Sequence, residues 1–159
     1  MNRPSVRRPS TYTPYLAALA LACAVHASAA PPDPVFQPVP AAPPGMKLPF
    51  SESVRVGDML YLSGQIGIDA SGKLAAGGIQ AESRQLMDNI GAALARQGSS
   101  FDRVVQCTVA LADIKEWPAF NEVYRGYFKT HFPARMAYAA SGLALGARAE
   151  VQCNAVAGR

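Results

Sequence analysis

The chain has 159 residues, of which 50% are hydrophobic and 16% charged, with a formal charge of +4. That length holds one domain and a tail, and the apolar fraction excludes a wholly disordered chain. The longest apolar run, ten residues from Leu16 to Val25, is too short to span a bilayer, which excludes a polytopic membrane protein.

The first thirty residues read as an export signal. Arg3, Arg7 and Arg8 form a positive n-region, Leu16 to Val25 an apolar h-region, and Ala27 and Ala29 the small residues of an A-x-A site. Cleavage is expected after Ala29, leaving 130 residues in the periplasm or outside the cell and detached from the membrane. A lipoprotein anchored through Cys23 is the alternative, but the leucine usual three places upstream is missing. Without the leader, 12 basic residues face 11 acidic ones, a net charge of +1 with no basic cluster. The electrostatic footprint of a nucleic-acid binder is therefore absent.

Residues 30–45 are expected to be a linker. Seven of the fourteen residues from Pro31 to Pro44 are proline, which favours extended, donor-poor chain. The domain is expected over 46–159. Ser53-Val54-Arg55-Val56 alternates, Gly57-Asp58 turns, and Met59 to Gly64 is an apolar run, together a hairpin. Asp69 to Lys73 signals a second turn. Ile79 to Gln97 has helical spacing, with Ile79, Leu86, Ile90, Ala93 and Leu94 on one stripe and Gly98 as its stop.

Val104 to Leu111 reads as a strand with Val105, Cys107, Val109 and Leu111 on one side. Trp117, Phe120, Tyr124, Tyr127 and His131 repeat at three and four, predicting a second helix ended by Pro133. Met136 to Ala140 and Ala149 to Ala157 suit two final strands. This order predicts an α+β fold, one sheet with both helices on one face. The other face is left bare, with many small residues expected on it, and assembly about a symmetry axis is one way to cover it.

Val56 to Gly67 (VGDMLYLSGQIG) and Phe132-Pro133-Ala134-Arg135 together resemble the Rid family, also called YjgF or L-PSP proteins. Further resemblances follow in order: Gln85 to Ile90, Asp113 to Phe128, then Glu150-Val151 and Ala155-Val156. They span residues 48 to 157, nearly the whole domain. The resemblance implies a chorismate-mutase-like fold with a six-stranded mixed sheet, and a homotrimer with clefts between subunits. It also implies hydrolysis of reactive 2-imino or enamine acids to 2-keto acids and ammonia, with no cofactor or metal. The implied partners are a small imino or keto acid and further copies of the chain.

Arg135 is the leading site candidate. A substrate carrying a carboxylate beside a C=N suits a planar, permanently charged fork of donors. It matches the family's carboxylate-binding arginine. Gly64 matches a position where backbone approaches the ligand, and Asn121 a residue near the cleft. Two departures from the family pattern stand out. Gln152 occupies the position read as that of the glutamate holding the attacking water, and an amide cannot take the proton. Glu150, about 6.6 Å along the same strand face, is the lesser alternative as a substitute base. Phe50 stands where the family often has tyrosine, and Glu52 where glutamine is common, which alters the expected pocket.

Cys107 and Cys153 remain after export, and buried free thiols are the favoured reading, with a disulfide left open. His131, the one histidine outside the leader, is expected to be structural. Three functions follow: an exported imine hydrolase with Arg135 and Gln152 in the catalytic site and Gly64, Phe50 and Asn121 binding substrate; a ligand-binding module of the same fold that has lost catalysis at Gln152; and the ribonuclease activity attributed to some relatives. The near-neutral charge and the lack of a histidine pair argue against the last.

Overall fold

The structure, a computed structural model, describes residues 30–40 and 48–158; the expected leader, Cys23 and the end of the expected linker lie outside them. The strands are β1 (Val35–Gln37), β2 (Ser53–Val56), β3 (Met59–Leu62), β4 (Gln65–Ile66), β5 (Val104–Leu111), β6 (Ala134–Ala139) and β7 (Ala149–Val156). The helices are α1 (Gly78–Arg96), between β4 and β5, and α2 (Trp117–Tyr124), between β5 and β6. The sheet is mixed, in the order β1-β2-β3-β7-β5-β6, with β4 also on β7. Its central strand is the last in sequence, β7, which runs antiparallel to both β3 and β5. β3 and β5 therefore point the same way, and β6 is parallel to β5. Parallel strands need long crossovers, and α1 and α2 are those crossovers.

Alternation along β7 divides the sheet into two faces. Ala149, Val151, Cys153 and Ala155 are buried, while Glu150, Gln152, Asn154 and Val156 stay partly exposed. The buried set packs under α1, which contributes Leu86, Met87, Ile90 and Leu94, with Phe120 and Tyr124 coming from α2. Each large apolar side chain removed from water contributes about 1.5–3 kcal/mol. Gly98, at φ +65°, takes the left-handed position just past α1, where a side chain would be strained.

Several expectations need correction. The sheet has seven strands among the described residues, not six, because β1 lies inside the expected linker and pairs antiparallel with β2. Proline excludes helix but not an edge strand, and Pro34 and Pro38 merely bound it. α2 stops at Tyr124; a 3-10 turn, Arg125–Tyr127, follows and the chain then extends, so His131 is exposed and on no helix. Gly126 sits in that turn, where it costs a helix more than any residue but proline. Phe128 takes the core slot instead. In β5 a bulge between Val104 and Gln106 shifts the alternation, so Val104 is buried and Val105 is not.

The cysteines are not free thiols. Cys107 and Cys153 face each other across β5 and β7, are fully buried, and form a disulfide. The bare face also differs from its expected small-residue character. It carries Met136, Tyr138 and Tyr61, all exposed, beside the amides of Gln106, Gln152 and Asn154.

Candidate active site

A cleft of about 420 Å³ opens at the β6 edge of the sheet, lined by Asn121, Tyr124, Arg125, Phe132, Pro133 and Arg135. Phe132-Pro133 delivers the chain into β6, and Arg135 is the strand's second residue. Its register partner on β5 is Cys107, so its side chain shares the helix-covered face. There α2 meets it. Asn121 and Tyr124 are three apart and lie on one face of that helix. Arg135 Nη1 donates to Asn121 Oδ1 at 2.7 Å, and its guanidinium lies 4.8 Å from the centre of the Tyr124 ring. A cation over an aromatic face is attracted by the ring quadrupole. Burial pushes the Tyr124 phenol up to about 12, against the opposing pull of Arg135. The phenol therefore stays neutral at ordinary pH and does not pair with the arginine as a phenolate. Asn121 occupies one of its five N–H groups and leaves a Nε/Nη2 fork open to a carboxylate.

Gly64 belongs to a second cluster. It follows Ser63, whose hydroxyl donates to the Ser51 carbonyl at 2.6 Å, and the Ser63 N–H donates to the Glu52 carbonyl at 2.9 Å. These bonds tie the loop carrying Phe50, which is 54% exposed, beside Gly64. A methyl group on Gly64 would overlap the Glu150 carboxylate. The carboxylate lies directly over the Gly64 backbone, and any side chain at position 64 would have to displace it.

That contact separates the two candidate bases. Glu150 covers Gly64, whereas Gln152 turns away and its Nε2 donates to Asn154 Oδ1 at 2.7 Å. Asn154 Nδ2 in turn donates to Gln106 Oε1 at 2.9 Å. Gln152 is thus a member of an amide row, and the carboxylate expected to be missing is present two residues earlier. Sequence could not separate them, since residues two apart share a face; the approach of the Glu150 carboxylate to Gly64 does. Glu52 does not alter a pocket. It is buried and paired through both oxygens with Arg96 at the end of α1.

The two clusters do not meet within one chain. Arg135 and Asn121 lie on the helix-covered face, Glu150 and Gln152 on the open face, and β5 separates β6 from β7. The sequence pattern missed Tyr124 and Arg125 as cleft residues. It read Tyr124 as core, and only its spacing of three from Asn121 hinted at a share in the site.

Comparison with known proteins agrees with this fold. A family model described as "Endoribonuclease L-PSP" matches residues 40–157. The chain belongs to this family, the Rid or YjgF proteins. It is 44% identical over 119 residues to a human protein named 2-iminobutanoate/2-iminopropanoate deaminase, covering 74% of this chain and 87% of that one. A goat protein of the same name is 46% identical over 111 residues, 69% of this chain and 81% of its own. The crystal structure of the yeast protein YEO7 superposes with a TM-score of 0.72 at 35% identity, covering 78% of this chain and 98% of that one.

Proposed function

We propose that the protein hydrolyses 2-imino acids to 2-keto acids and ammonia. The observation that carries this reading is Arg135, oriented by Asn121 at a cleft with no acidic lining residue, in a chain 44% identical to a named imine deaminase. The Arg135 fork holds the substrate carboxylate and fixes the adjacent C2. Glu150 takes a proton from water as the oxygen attacks C2 of the C=N, and the imine nitrogen gains that proton. The hydroxyl proton of the resulting tetrahedral carbinolamine passes to its nitrogen, which leaves as ammonia when the C–N bond breaks, and the oxygen's electron pair closes the C=O of the keto acid. Gly64 gives the substrate backbone-close access beside Glu150. The reading as a binding protein without catalysis rested on a lost carboxylate at Gln152, and Glu150 supplies one.

Because Arg135 and Glu150 occupy opposite faces of one sheet, the complete site is formed between two copies of the chain. A homotrimer meets this need, and the exposed Tyr61, Met136 and Tyr138 on the open face support burial there. The leader expected from the sequence supports a location in the periplasm or medium, which the Cys107–Cys153 disulfide also suits.

The test generates 2-imino acids with an amino-acid oxidase and traps what survives with semicarbazide. Wild-type protein should suppress trapping, and Arg135→Ala should abolish the suppression. Suppression undiminished in Arg135→Ala, or none in the wild type, would overturn the reading. Sedimentation should give three times the chain mass; a monomer that turns over substrate would sink the shared site.

A further inference from the structure

The cleft holds a second arginine that the hydrolysis of a simple imino acid does not use. Arg125 ends α2 four residues after Asn121, and its Nε donates to the Asn121 backbone carbonyl at 3.2 Å. Both arginines of the cleft are thus tied to Asn121, Arg135 through its side chain and Arg125 through its backbone. Neither guanidinium is neutralised. The ion pairs among the described residues are Arg96–Glu52 and Arg148–Glu116, and no lining residue is acidic. With its Nε engaged, Arg125 still offers both terminal nitrogens.

We propose that the cleft selects dicarboxylic 2-imino acids: Arg135 takes the carboxylate beside the C=N, and Arg125 takes the carboxylate at the far end of the side chain. This deepens the proposed hydrolysis and rests on it. Two like charges meet in a cleft whose own chain lines it with no acidic residue, and the single Glu150 of a second copy does not offset both, which favours a ligand that brings two negative charges. The cleft, about 420 Å³, leaves room beyond a four-carbon acid. The apolar walls of Phe132 and Pro133 suit the methylenes between the two carboxylates. Arg125 is exposed, so its contribution is that of a charge-assisted hydrogen bond at a wet rim, about tenfold in affinity.

The experiment uses keto acids, which bind without turning over. Calorimetric titration of the purified protein should show 2-oxoglutarate binding about tenfold tighter than 2-oxobutanoate. Arg125→Gln should remove that preference by weakening 2-oxoglutarate about tenfold and 2-oxobutanoate far less, Arg125→Lys should keep part of it, and added salt should weaken 2-oxoglutarate more. Equal affinities in the wild type, a preference that survives Arg125→Gln, or failure of both acids to bind would overturn the inference. Imine turnover is measured in parallel. Turnover without a dicarboxylate preference overturns this inference alone, while an Arg125-dependent preference without turnover overturns the hydrolysis and spares the recognition.

Discussion

On β7, Val151, Cys153 and Ala155 point under the helices and are fully buried, while Glu150, Gln152 and Asn154, each one residue away, point to the open face and keep partial exposure. The buried side carries apolar contacts and a covalent cross-link, and its neighbours determine each identity by volume. The open side carries groups that hydrogen-bond or titrate, and their identities are set by what they face. Arg135 is the exception that joins the two. It lies on the helix-covered face, but at the edge strand β6, where the cover ends and solvent reaches it. A charge is tolerated there because its guanidinium reaches the cleft and lies against the Tyr124 ring.

The sharpest way to break this division is to neutralise the open face's carboxylate. Glu150→Gln keeps the shape over Gly64 and removes the proton acceptor, so kcat should fall about 10²–10⁴-fold with the fold intact. Rates in the trapping assay beside a circular dichroism spectrum measure both; retained kcat would return the base to another residue. Next comes the buried side. Reducing the Cys107–Cys153 bond, or replacing both residues with alanine, releases a link spanning 46 residues and should cost about 2–4 kcal/mol. Urea unfolding with and without reductant reads it, and coincident curves would show that the cross-link does not form in solution. A smaller effect is expected at the joining point. Asn121→Ala removes the partner of Arg135 Nη1 but not the charge, so kcat/KM should drop about tenfold, far less than in Arg135→Ala.

The helix-covered side was largely legible in the sequence, because burial leaves a periodic trace. The α1 stripe of Ile79, Leu86, Ile90, Ala93 and Leu94 is buried throughout, and β5 has the predicted bounds. Failures on that side are local interruptions of period. The β5 bulge exchanged Val105 for Val104, and Gly126 cut α2 short, which put Phe128 in place of His131. The open side was legible only as a bare face. Its residues follow no apolar rhythm, and which of Glu150 and Gln152 lies at Gly64 depends on where each side chain reaches, a contact distant in sequence. Arg135 and Asn121 came from resemblance to a family, not from any pattern, and Arg125 left no trace because exposed arginines are common.

The smallest expected effect separates the two candidate bases most cleanly. The amides of the open face form a directed row: Gln152 donates to Asn154, Asn154 to Gln106, and Gln106 Nε2 to Thr108 Oγ1 at 3.1 Å. Asn154 and Gln106 each accept from the amide before them, and Gln152 commits its Nε2 to Asn154. In Gln152→Glu the first donor is lost, and a carboxylate faces the Asn154 Oδ1, which already has its lone pairs outward. The row must then reverse its amides or leave one acceptor bare. The cost is about 1 kcal/mol, visible as a lower urea midpoint. Activity should stay within about twofold, because Glu150 is untouched and the added carboxylate has no path to Gly64 that Glu150 does not already fill. A several-fold gain in kcat would instead place the reacting water at position 152 and reverse the assignment of the base.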